Sequence, residues 1–161
     1  MRMAVLWSLL LLSCLAFQAA FLPLFLSFGA RPDLLLIIVV SAGLLRGKEI
    51  GVGVGFFAGI LQDLASGNIF GLNTLAKMAA GYIAGLAEGK VFKENILLPL
   101  LAVTMATFFN ACFVFTLIYF WGYKVEFLFL VFNQVLPTLA YNLAFSIPIH
   151  RLIFRLLLGR G

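Results

Sequence analysis

The chain has 161 residues, of which 64% are hydrophobic and 11% charged, with a net charge of +5. Globular domains are roughly 45–50% apolar and about 25% charged, so a soluble domain of this length could not hide so much apolar surface. The composition points to an integral membrane protein. One transmembrane domain is expected over residues 1–161, because no polar segment is long enough for a soluble appendage.

Charged residues divide the sequence into six apolar runs, at residues 3–28, 32–45, 50–65, 71–87, 96–121 and 127–150. A spanning helix needs about 20 apolar residues, with roughly 17 as the lower end. The first, fifth and sixth runs are ample. The second, third and fourth are short, so loop residues extend them or they cross a thin, protein-lined region. "LLSC" at 11–14 is faintly like a lipoprotein signal, but the apolar run continues to Phe28 and predicts a retained helix. Cys14 and Cys112 lie inside apolar runs without a ligand spacing and read as small hydrophobes. Pro32 suits the first turn of the second helix, and Asp33 then lies at the positive end of its dipole. Asn68 or Asn73 is placed to cap the fourth helix, and Pro137 predicts a kink in the sixth.

Basic residues set the orientation. With both termini in the cytoplasm, the inner side holds Arg2, Arg46, Lys48, Lys90, Lys93, Arg151, Arg155 and Arg160, and the outer side only Arg31 and Lys124. Treating the second run as a re-entrant loop reverses that bias, so six spans are expected. Trp121 and Tyr123 mark the outer interface. The asymmetry, with anionic lipid on the cytoplasmic face, explains the net charge without a nucleic-acid partner.

The third run carries Gly51, Gly55 and Gly59 at intervals of four, with Asp63 next in the series. The fourth carries Lys77, Gly81, Gly85 and Gly89 at the same interval. Residues four apart share a helix face, and small residues there let membrane helices approach closely. An antiparallel hairpin centred on residue 70 sets Gly51 against Gly89, Gly55 against Gly85, and Gly59 against Gly81. Asp63 and Lys77 then face each other as a candidate ion pair. Two other readings stay open: independent solvation, with Lys77 snorkelling outward and Asp63 capping loop N–H groups, and a proton or ion relay or catalytic acid.

In the sixth run Gln134, Thr138, Tyr141 and Asn142 fall mostly on one face, with Asn133 beside them; the fifth adds Thr104, Thr107 and Asn110. Interhelical hydrogen bonding explains them, and a polar cavity for a small ligand is the functional reading. Ala16 and Ala20 form a small-xxx-small pair. The only histidine, His150, reads as a basic interfacial residue. There is no metal-ligand spacing, no phosphate loop and no poised carboxylate pair, so neither an enzyme nor a cofactor is expected.

Arg31-Pro32-Asp33 opens the second helix and Leu45-Arg46-Gly47 closes it, and the Gly-rich third helix then ends in the series Gly59, Asp63, Gly67, Gly71, Asn73. With these motifs residues 31–95 resemble the rod shape-determining protein MreD family. The resemblance implies a non-enzymatic subunit of the bacterial cell-elongation complex in the plasma membrane, involved in peptidoglycan synthesis and cell shape. It implies MreC as partner, with RodA, its transpeptidase and MreB in the same assembly. Arg31, Pro32, Asp33, Gly67, Gly71 and Asn73 are the motif residues it offers for partner contact. The family's layout is also similar to the S-components of energy-coupling-factor transporters, which leaves a vitamin-binding uptake subunit as the alternative.

Overall fold

The computed structural model describes residues 2–20, 32–67, 70–88, 97–122 and 126–158, and their regular structure is entirely helical. In chain order these are α1 (Arg2–Ala20), α2 (Leu34–Ser66), α3 (Leu72–Gly85), α4 (Leu97–Phe120), α5 (Phe127–Leu130), a π-helical turn (Val131–Val135) and α6 (Leu136–Leu158). Arg31, Asn68, Gly89 and Tyr123 lie outside the described residues. Leu97–Phe120 and Leu128–Leu156 are long and apolar enough to cross a membrane.

The second and third runs form α2, which is interrupted at Gly47 (φ 86°, ψ 176°). That backbone conformation is open to glycine and closed to most side chains. A Cβ on Gly51 would sit 2.9 Å from the Gly43 Cα. Eight residues of straight helix would separate these positions by about 12 Å. The chain therefore doubles back at Gly47, giving a first arm (34–46) and a second arm (48–66).

The first arm is the centre of the molecule. Every residue from Leu34 to Leu45 is buried. The arm is apolar all round, as a helix encased by others must be. One side packs Leu35, Ile38 and Val39 with Trp7 and Leu11 of α1, Val54 and Ala58 of the second arm, and Ile153 of α6. The other packs Ile37, Val40 and Leu44 with Ala80 and Ala84 of α3 and Val103 and Ala106 of α4. A run too short to span alone thus lies in a protein-lined setting, one of the two options its length left open.

The second arm and α3 form a glycine-lined hairpin, but its register is not the expected one. Gly51 lies against Gly81, where a Cβ on Gly81 would come 2.6 Å from the Gly51 carbonyl carbon. Gly55 lies against Lys77, Gly59 against Thr74, and Gly85 against Gly47 and Lys48. Relative to the expected Gly51–Gly89 pairing this is a slip of eight residues, about two turns. The cause is a tighter corner. Gly67 caps α2 in the left-handed conformation (φ 63°), its N–H bonded to the Asp63 carbonyl, and α3 restarts from Gly71. Gly43 of the first arm joins the seam too, with a Cβ there falling 2.7 Å from the Gly81 oxygen and 2.9 Å from the Gly85 nitrogen. Three helical rods therefore meet backbone to backbone, which maximises dispersion contact between membrane helices.

The sixth run carries its irregularity just before Pro137. The Leu136 N–H bonds the Val131 carbonyl five residues back, and the helix widens over Val131–Val135. A proline lacks the N–H for a regular i→i−4 bond and its ring crowds the preceding turn. The π turn provides room in that turn.

Candidate functional site

Asp33 is the point where the helices are tied together. Its carboxylate caps α2, accepting the Leu36 N–H at 2.9 Å through Oδ1. Through Oδ2 it takes the Lys77 ammonium of α3 at 2.6 Å. Its own N–H donates to Asn142 Oδ1 of α6 at 2.8 Å. Asn142 Nδ2 donates in turn to Thr107 Oγ1 of α4 at 3.0 Å. The neighbouring Leu34 N–H donates to Gln18 Oε1 of α1 at 3.1 Å. Three other helices thus send polar side chains to the first turn of the central arm, and a fourth, α4, holds one of them through Thr107. The physical demand is clear: the first N–H groups of a helix have no partner within it, and in a bilayer no water supplies one.

The expected ion pair is therefore corrected. Lys77, fully buried, pairs with Asp33 and not with Asp63. The two-turn slip carries Asp63 past Lys77 to the start of α3. There its carboxylate, in a residue 2% exposed, accepts five hydrogen bonds. They come from the N–H groups of Gly71, Asn73 and Thr74, the Asn73 amide and the Thr74 hydroxyl, at 2.7–3.1 Å. The cap of α3 is thus a carboxylate from another helix, and Asn73 serves as a donor to it. A carboxylate at a helix N-terminus also meets the positive end of the dipole. Gly67 and Gly71 are at this corner with positive φ (63° and 95°), and a Cβ on either would meet nothing within 4 Å. Backbone conformation, not crowding, is the local reason for glycine at both.

His150 is the second correction. It is buried, and its Nδ1 lies 3.0 Å from Ser41 Oγ on the central arm. The pair is separated by 109 residues in sequence, so nothing near the histidine in the chain announces its partner.

A cavity of about 390 Å³ adjoins the Asp33 cluster, between α1, α2, α4 and the α5–α6 rod. Asn110, Gln134, Thr138 and Asn142 line it, as does Asp33; Tyr141 does not. Sequence reasoning missed Gln18 and Gln62, which also reach its wall. Among the described residues no group of three or more His, Cys, Asp or Glu side chains comes together.

Described residues that are apolar and helical, with buried charges and amides drawn together inside the bundle and large apolar side chains outside, have the build of a membrane protein. The family model described as rod shape-determining protein MreD matches residues 1–159. The chain belongs to that family, whose members are membrane proteins of rod-shape determination. No curated protein and no solved structure matches it.

Proposed function

We propose that the protein is a non-enzymatic scaffold of the cell-elongation complex in the bacterial plasma membrane. It crosses the bilayer six times as a single domain, termini inside, in a layout similar to transporter S-components. It holds the membrane helix of MreC, and through MreC it joins RodA, its transpeptidase and MreB in organising peptidoglycan synthesis. The family match over residues 1–159 carries this reading. Two features support it. Asp33, Asp63 and Lys77 are buried and bonded within the bundle, so none of them is spent outside it. The outer faces of α4 and α5 are large and apolar, with Leu101, Met105, Phe120 and Phe129 each more than 60% exposed. Such faces suit a hydrophobic partner helix. Of the described motif residues, Pro32 and Asp33 are buried and Asn73 is bonded to Asp63, whereas Gly67 is exposed and Gly71 half-buried, so the corner at Gly67 and Gly71 is open to a partner.

Depletion tests the proposal. Rod-shaped cells should round up as the protein is lost, and MreC should co-purify with it from solubilised membranes. Cells that keep their rod shape after depletion would rule the scaffold out.

A further inference from the structure

The cavity beside Asp33 has two unusual atoms in its wall. Gln62 Oε1 and Asn110 Oδ1 are buried without a hydrogen-bond partner, and both residues line the space. Unpaired buried acceptors are rare in folded proteins and call for a missing partner. They come from different helices, the second arm of α2 and α4. The π-helical turn forms part of the same wall through Gln134 and Val135. Such turns gather at functional sites, because they shift side chains out of helical register. The volume, about 390 Å³, falls within the range of roughly 300–1,000 Å³ typical of small-molecule sites.

The chemistry of the wall narrows the occupant. Its one charged side chain is Asp33, and that carboxylate is already taken by Lys77. The other polar groups are carboxamides and hydroxyls, so the wall has no spare charge for an ion. A carboxamide can turn either its oxygen or its nitrogen toward a ligand. A hydroxyl donates and accepts, so it satisfies both orientations, whereas an ammonium satisfies one. The rest of the wall, including Leu15, Leu36, Val114 and Ile118, is apolar.

We propose that this cavity binds a neutral, hydroxyl-rich head group, glycosyl or polyol in kind, with Gln62 and Asn110 hydrogen-bonding its hydroxyls. The group is carried either by a membrane glycolipid or by a free sugar. The proposal stands apart from the scaffold role and is tested on purified protein.

The full chain is purified in a polyoxyethylene detergent, since a glycosidic one would fill the cavity. Its Tm is then followed with dodecyl glucoside, with free glucose, and with a phosphocholine-headed amphiphile of the same tail. A rise with dodecyl glucoside alone assigns a lipid-borne head group, and a rise with glucose as well assigns the free sugar. The Gln62→Leu, Asn110→Leu double variant should keep its ligand-free Tm, since the two buried oxygens removed have no partner to lose, and should bind at least tenfold more weakly. An alanine pair serves the same purpose if the leucines overfill the space. No rise with either sugar, an equal rise with the phosphocholine, or an unchanged response in the folded double variant would each overturn the proposal.

Discussion

Along the α2–α3 seam, backbone lies on backbone, and Asp63, Thr74 and Lys77 are all bonded. Across the bundle, between α1, α4 and the α5–α6 rod, about 390 Å³ is left open, and two amide oxygens have no partner. Both regions draw on small and amide-bearing residues in apolar helices. They differ in whether the polar groups satisfy each other or leave something unanswered. The first arrangement gives a fixed part, because every shift breaks several bonds at once. The second gives room for an occupant at a cost in stability that the fixed part has to cover.

Three single variants and one double variant test that contrast, from the largest effect to the smallest, by thermal unfolding of the purified protein. Asp33→Asn leaves the Lys77 ammonium buried without a counter-charge, and should cost about 3–5 kcal/mol. Adding Lys77→Met should recover a large part of that loss. A double variant no more stable than the single would show that the pair is not what holds α3 to the central arm. Asp63→Asn comes next. It sets an amide NH₂ against a ring of N–H donors, and the loss expected is about 2–3 kcal/mol. If it unfolds with the wild type, the corner is held by its glycines and not by the carboxylate. Asn110→Leu, on the open side, should lie within about 0.5 kcal/mol of wild type. A loss as large as that of Asp63→Asn would mean that the two regions do not differ in kind.

Much of this was legible in the residues. The apolar runs gave the helices, and the four-residue spacing gave the faces of the second arm and α3 that meet. Periodicity names a face, but it does not set the height at which two faces meet. That height was decided at the corner, where Asp63 collects donors up to eleven residues ahead. Once the hairpin slipped, Lys77 needed another acid, and Asp33 lies 44 residues away on a helix that the pairing argument had not included. Ser41 stayed hidden among the apolar residues of a central arm for the same reason. A polar residue in a greasy run announces that it has a partner without saying where. Of the polar residues suggested on the fifth and sixth runs, Thr107, Asn110, Gln134, Thr138 and Asn142 line the cavity, because polar side chains on neighbouring spans share a face. Gln62 was missed because it stands next to the more conspicuous Asp63.

The encased first arm also has a consequence for how the molecule is made. Residues 34–45 are too few to hold a place in the bilayer by hydrophobicity alone, at about 18 Å of helix. Their N-terminal end is finished by Asn142, which the ribosome adds 109 residues after Asp33. Until then the central helix has an open polar end and no complete jacket. The middle of this protein is therefore the part that matures last, and truncating its C-terminal helix removes a wall of the core.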